Sequence, residues 1–301
     1  MALKGMYISI IITCYNYEAY VVQAINSVTS QADEHVELIV VDDGSTDHSL
    51  NKIECQAKQH SFTVISKENG GQASAFNAGM GVARGELVWF LDADDYLLPG
   101  SISLLRESWS DSCAKLHAPM RVVDRSGQDL GWTNPRKYAR MASGNIRFSY
   151  LMFGAYSSPP TSGTVYKRAD LKQIFPMPED VYRICADAYL KERSAFLGKI
   201  AKIRQPLAAY RIHGENNFVD AGDLSPAAAK IATTRMVNKY RFLLSKDPTV
   251  LTTFIRSFIF ARSRHMRVLV SYDKDESEGI FQQLFPLRSS RWIYRLHSSK
   301  S

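Results

Sequence analysis

Apolar positions in about the first hundred residues fall into short continuous runs, with helical stripes between them. Residues 7–13, 37–41, 63–66 and 87–91 are runs of apolar and β-branched side chains, the pattern of strands buried on both faces. Val21, Val22, Ile25 and Val28 recur at helical spacing within residues 18–30. Residues 47–59 and 74–83 read as two further helices, with Asp47 capping the first and Gly85 closing the second. This β-α-β-α alternation predicts a mostly parallel sheet with right-handed crossovers, and ligands then bind beyond the carboxyl ends of the strands. Polar clusters stand at those ends, at residues 13–16, 42–45, 67–72 and 92–95.

Past this region the pattern loosens. Residues 115–124 read as a strand, 126–144 as a polar loop, 157–163 as a stiff Pro-rich turn and 164–167 as a short strand. A helix is expected over 187–197 and strand-like pieces over 201–212. From about residue 225 the spacing becomes helical, over 226–244 and 250–271, which sets a boundary near Asp223. No internal repeat or low-complexity tract interrupts the chain.

Composition narrows the class. With 301 residues, 45% hydrophobic and 22% charged, the chain can bury a sizeable core. Its net charge of +7 suits anionic ligands such as phosphates, or an acidic membrane surface. No DNA- or RNA-binding motif is present, so no nucleic-acid partner is expected. Cys14, Cys55, Cys113 and Cys185 lack metal-site or disulfide-framework spacing and fit reduced thiols in a cytoplasm. Residues 1–6 are too short and mixed for a signal peptide, and no window of about 18 apolar residues predicts a membrane-spanning helix.

The densest chemistry is Asp92-Ala93-Asp94, followed by Asp95, at the end of an apolar strand. Buried like charges this close cost several kcal/mol each unless a cation meets them. Side chains two apart on a strand point the same way, so Asp92 and Asp94 can converge on one hard cation. Taken alone, the tripeptide reads equally well as a solvated strand-to-turn junction.

The full order of motifs decides more. Thr13-Cys14-Tyr15-Asn16 precedes Val41-Asp42-Asp43-Gly44-Ser45-Thr46-Asp47, then Asn69-Gly70-Gly71, Asn77-Ala78-Gly79, Gly85-Glu86 and Leu91-Asp92-Ala93-Asp94-Asp95. This series closely resembles the family 2 glycosyltransferases, which have the GT-A fold. A weaker match continues through residues 160–167, Ala186-Asp187-Ala188-Tyr189-Leu190 and Tyr210-Arg211-Ile212-His213-Gly214-Glu215-Asn216. The resemblance implies an α/β, Rossmann-like, mostly parallel sheet flanked by helices, with a C-terminal helical extension. Residues 1–98 would form the nucleotide-sugar-binding half, 99–223 the acceptor and catalytic-base half, and 224–301 the helical region.

The activity so implied is inverting transfer of one sugar from a nucleotide-diphosphate-sugar, usually a UDP-sugar, to a saccharide or lipid-linked acceptor. Donor-binding positions would be Thr13, Tyr15, Asn16, Asp43, Gly71, Asn77, Asp92 and Ala93, with Asp43 on the base and Thr13 and Tyr15 along base and ribose. Asp94, supported by Asp92 and His213, would hold Mg²⁺ or Mn²⁺, a cation that takes one or two carboxylates plus substrate phosphates. Asp187 matches the Asp of a Glu-Asp pair that supplies the base in many members, with Asp180 and Glu179 as fallback candidates. Asp95 fits a capping or supporting role, and Arg211 either a phosphate contact or a surface ion pair.

Three departures stand out. Ala186 replaces the Glu of the Glu-Asp pair, Phe76 stands where many members carry Arg, and Arg288 occupies the Gln of the Gln-x-x-Arg-Trp motif of processive synthases. Single-sugar transfer is therefore expected. Residues 288–296 mix cations with aromatics and read either as a packed surface helix or as a peripheral contact with the inner face of the cell membrane. Two rival readings are a nucleotide-sugar-binding protein without turnover and a haloacid-dehalogenase-like phosphatase using Asp92 and Asp94.

Overall fold

A computed structural model describes residues 5–136, 140–153 and 155–214, together with Lys239 and Phe242. The chain divides into two compact units, residues 1–150 with 155–217, and residues 151–154 with 218–301. Nearly all described residues belong to the first, and the account below concerns that unit. Apart from Lys239 and Phe242, the helical region expected over 224–301 lies outside the described residues, as does the basic aromatic segment 288–296.

The expected alternation forms as β1 (Ile8–Cys14), α1 (Val21–Thr29), β2 (Val36–Asp42), α2 (Ser49–Gln59), β3 (Thr63–Ser66), α3 (Gln72–Val82) and β4 (Leu87–Asp92). There follow β5 (Tyr96–Leu97), α4 (Ser101–Ser108), β6 (Cys113–His117), β7 (Met120–Val123), β8 (Asp129–Asn134) and α5 (Arg147–Phe153). The remainder is β9 (Thr164–Lys167), α6 (Arg168–Leu171), α7 (Ala186–Ser194), β10 (Lys199–Lys202) and β11 (Ala208–Arg211). A seven-stranded sheet runs β10-β6-β9-β4-β1-β2-β3, parallel except for β9, which is antiparallel to both neighbours. A four-stranded sheet runs β5-β11-β7-β8.

The continuous apolar runs form strands because both sheet faces are covered. Ile10 and Ile12 of β1 and Trp89 and Leu91 of β4 pack with Val21, Ile25 and Val28 of α1 and Ile53 of α2. Ile11, Val41, Val88 and Phe90 point to the other face, against Ala73, Phe76 and Met80 of α3 and Tyr189 and Leu190 of α7. Gly79 lets α3 lie on β1, since a Cβ there would stand 2.4 Å from Ile11 Cγ2.

The second half departs from its pattern in informative ways. The single strand expected over 115–124 is two strands in different sheets, β6 and β7. Pro119 lies between them, and its missing N–H cannot continue a ladder. Part of the expected polar loop forms β8, whose residues are exposed or half-buried and which exists by pairing with β7.

Phe76, read from the sequence as a missing cation, is instead core. It is fully buried and stacks on Phe90 with ring centroids 4.3 Å apart, and Phe90 stacks in turn on Phe175.

Candidate active site

Strand register brings the polar clusters to one rim. Thr13 pairs with Asp92, Cys14 with Asp42, and Asp42 with Ser66, so the carboxyl ends of β1, β2, β3 and β4 finish level.

On the β2 side, the Asp43 carboxylate collects three donors, from Lys67 Nζ at 2.7 Å, the Gly70 amide at 3.0 Å and the Gly71 amide at 2.7 Å. Gly71 has φ +87 and passes so close to Arg183 that a Cβ would meet its carbonyl oxygen at 2.3 Å. Asp42 is buried beneath; one oxygen accepts the Ser45 amide and the other has no protein partner.

Thr13 is buried at the end of β1, while Tyr15 is exposed just beyond it. Asn16, at φ +58, shapes the rim: its Oδ1 accepts from the Thr46 amide at 2.7 Å, and its own amide donates to Ser45 Oγ. Asn77 performs a similar clasp elsewhere, with Nδ2 on the Met177 carbonyl and Glu179, and Oδ1 on the Met177 amide. No hydrogen bond joins Asn77 to the aspartates of β4.

The strand-end aspartates are held from sequence-distant elements. Asp94 Oδ2 meets His213 Nε2 at 3.0 Å, and this buried imidazole stacks on Tyr20 at 5.0 Å. Asp95, expected to cap a helix or back up its neighbours, does the second. It accepts from Ser162 Oγ at 2.6 Å and from the Arg211 amide at 3.0 Å. Ser162 Oγ in turn accepts the Asp92 amide.

Arg211 is buried and is not a surface residue. Its guanidinium donates to the carbonyls of Asp94 and Arg125 and to Gln23 Oε1, and packs over Tyr20 and Tyr96. Its reach and planar fork suit this cage of carbonyls.

Burial and mutual repulsion act on the carboxylates of this rim. The Asp92 carboxyl is pushed up to about 8 by burial, then by Asp94 and by Asp187. Burial, then Asp94 and Asp92, holds Asp95 well above the usual carboxylate range. Asp187 stands in the first turn of α7, and its charge adds to the rise of Asp92. Glu179 is exposed, bonded to Asn77 and Ser74, and its carboxyl lies below its ordinary range.

Two phenols that the sequence reading did not single out face the same charges. Burial, then Asp94, Asp92 and Asp95, raises Tyr17. Tyr210 is pushed up to about 12 by burial and then by Asp95, Asp94, Asp92 and Asp187. Both therefore stay protonated and able to donate.

Among the described residues no group of three or more His, Cys, Asp and Glu side chains is arranged to hold a metal ion alone. Asp92, whose proton affinity is raised by burial and by the neighbouring Asp94, nevertheless forms with it a pair of carboxylates that fits Mg²⁺ or Mn²⁺ completed by substrate phosphates.

Residues 9–175 match the family description "Glycosyl transferase family 2". The chain belongs to that family. It is a glycosyltransferase, and the dehalogenase-like reading of Asp92 and Asp94 falls with this assignment. An uncharacterized glycosyltransferase of Nostoc sp. is 38% identical over 242 residues, 78% of this chain and 74% of the relative. An uncharacterized glycosyltransferase of Rickettsia bellii is 28% identical, and the chain spans only 34% of its length.

Among solved structures, Staphylococcus aureus TarS 1-349 in complex with UDP-GlcNAc superposes with a TM-score of 0.62 at 20% identity, over 93% of this chain and 82% of TarS 1-349. The mannosyltransferase PcManGT of Pyrobaculum calidifontis, in complex with GDP-Man and Mn²⁺, gives 0.58 at 16% identity, over 88% and 72%. This is the GT-A fold of the family. No described helix is long and apolar enough to cross a membrane.

Proposed function

We propose that this family 2 glycosyltransferase is inverting and metal-dependent, and that it moves one sugar from a nucleotide-diphosphate-sugar, first of all a UDP-sugar, to a hydroxyl of a glycan or lipid-linked acceptor. The observation that carries the reading is the pair Asp92 and Asp94 at the strand-end rim, with Gln72 tying Asp92 to the Ala186 amide that opens the helix bearing Asp187. UDP-GlcNAc bound to TarS, and GDP-Man with Mn²⁺ bound to PcManGT, support it. The setting in this reading is glycan assembly in the cytoplasm, at or near the inner face of the cell membrane.

Asp43, with Thr13 and Tyr15, receives the nucleoside, and Asn16, Asn77 and Gly71 shape the loops around it. Asp92, Ala93 and Asp94 face the ribose and diphosphate, with Asp94 as first metal ligand, Asp92 beside it and His213 against it. A bound Mg²⁺ or Mn²⁺ supplies Lewis-acid stabilisation of the charge on the departing diphosphate. Asp187 accepts the proton of the acceptor hydroxyl on the face of the sugar opposite the leaving group, as inversion requires.

A second reading, donor binding without turnover, is favoured by Ala186, which is buried where many members carry the Glu of the pair.

A thermal-shift screen of nucleotide-sugars with and without Mn²⁺ tests the reading, since a ligand of the folded state raises the melting point by mass action. A shift with a UDP-sugar and Mn²⁺, lost in Asp94→Ala together with metal-dependent UDP release, is expected. Failure of every nucleoside diphosphate to shift the protein refutes it, and a shift with no release on any acceptor selects the second reading.

A further inference from the structure

The amino-terminal ends of α3 and α7 meet through one side chain. Gln72 opens α3, and its backbone amide donates to the Arg183 carbonyl at 2.7 Å. Its side-chain Oε1 accepts the Ala186 amide at 2.8 Å, and its Nε2 donates to Asp92 Oδ1 at 3.3 Å. The amide cannot be turned round, because an N–H at Ala186 requires the oxygen; the nitrogen is thereby aimed at the carboxylate.

Local chemistry explains why α7 needs this partner. First-turn amides of a helix have no partner within the helix; a capping side chain ordinarily serves the N2 or N3 amide, and the N1 amide, here that of Ala186, takes an acceptor from elsewhere. The N-cap here is Cys185, in the left-handed conformation at φ 61, and its side chain makes no capping bond. Gln72 supplies the acceptor from across the site, one residue before Asp187. The 69–72 loop and the 183–186 segment are further joined by Arg183, whose guanidinium donates to the Asn69 carbonyl and side chain.

We infer that Gln72 is a positioning residue of the transfer reaction. It fixes the start of α7, and with it Asp187, relative to the carboxylate that faces the donor. The inference rests on the assignment of Asp187 as base and adds a residue through which that base is placed. A base displaced by about 1 Å forfeits much of its effect even though donor contacts survive.

The test is a double-mutant cycle on UDP release from a UDP-sugar, with Mn²⁺ present and water as acceptor. Gln72→Met keeps the volume and helix preference of the side chain and removes both hydrogen bonds. It is expected to lower kcat by roughly ten- to a hundredfold with KM for the donor within about twofold, the sign of lost positioning without lost ground-state binding. In an Asp187→Asn background the same change should cost nothing further, because its effect passes through Asp187.

Unchanged kcat in Gln72→Met, or an equal loss in the Asp187→Asn background, overturns the inference alone. An Asp187→Asn enzyme that turns over like wild type removes the base assignment and the inference with it. UDP binding with Mn²⁺ checks that each variant is folded. Should Gln72→Met fail that check, Gln72→Leu, which likewise removes both side-chain hydrogen bonds without adding a charge beside Asp92, carries the same cycle with the same expectation.

Discussion

Lys115 is almost completely buried, at 1% exposure, and no carboxylate forms a salt bridge with it among the described residues. Its Nζ donates to Tyr156 Oη and Ser158 Oγ, both at 3.2 Å, and lies over the rings of Tyr156 and Tyr166. Burial, then Lys191, pushes the ammonium down to about 7 from 10.5, against a smaller opposing pull from Asp187. Between those values the unfolded chain holds a proton that the folded one has released, so stability rises with pH across the window and the penalty is complete below it.

At about 1.4 kcal/mol per pH unit the whole window amounts to about 5 kcal/mol, of which about 3 fall between roughly pH 7 and roughly pH 9.5. Lys115→Met keeps the aliphatic stem and deletes the charge. Urea unfolding of both proteins, followed by tryptophan fluorescence to which Trp89 and Trp109 in this core contribute, gives the two stabilities. The difference, wild type minus variant, is expected to grow by about 3 kcal/mol over that range. Cys14, which burial raises to about 12, is common to both proteins and cancels. His117, pushed down to about 3 by burial and then by Lys115, titrates below this window. A difference that stays flat within about 0.5 kcal/mol, or one that shrinks with pH, refutes the reasoning.

The metal-free protein should show the opposite slope at the rim. Asp92 is raised from 3.8 to about 8, so its contribution is present at low pH and lost as pH climbs through about 8. Mn²⁺ selects the ionised form, and the rise in melting point it gives should be larger at alkaline than at acidic pH; an equal rise at both counts against metal binding to Asp92. Phe76→Arg places an unpaired charge between α3 and the sheet, against Phe90, and should cost about 3–5 kcal/mol in urea unfolding. A stability within about 1 kcal/mol of wild type would show that the guanidinium escapes to solvent at the rim.

The centre of the first sheet was legible because β1, β2 and β4 are buried on both faces. Runs such as Ile8–Cys14 carry no competing helical stripe. The second sheet was not, because its strands owe their existence to partners rather than to pattern. β5 has two residues, and β8 presents no buried side chain. The reversed sense of β9 is likewise a property of the chain path and not of Thr-Val-Tyr-Lys. Within the site, Asp92 to Asp95 could be read as charge at a strand end. The partners of Gln72, Ser162, Tyr17 and Tyr210 could not: Gln72 stood in the 67–72 polar cluster and Ser162 in the 157–163 turn, but a lone amide, hydroxyl or phenol names no partner until a distant carboxylate is brought to it. Tyr17 did adjoin the Thr13 to Asn16 cluster, and Tyr210 the Arg211 to His213 motif, which is the one signal that marked them.

The support of the acidic loop is therefore non-local, and this bears on how the site forms. Three neighbouring carboxylates at a strand end repel one another, and nothing in residues 92–95 offsets that. The offset comes from Ser162, just before β9, and from Arg211 and His213, at and beyond the end of β11. Arg211 lies on β11, which pairs with β5 immediately after Asp95 and with β7 on its other side. The second sheet thus carries its cation to the backbone of Asp94 and its amide to Asp95. Gln72 closes the arrangement from the opposite side by tying Asp92 to α7. In the proposed reaction, donor binding and base placement are therefore expected to depend on the same packing of the second sheet and α7 around Asp92 to Asp95.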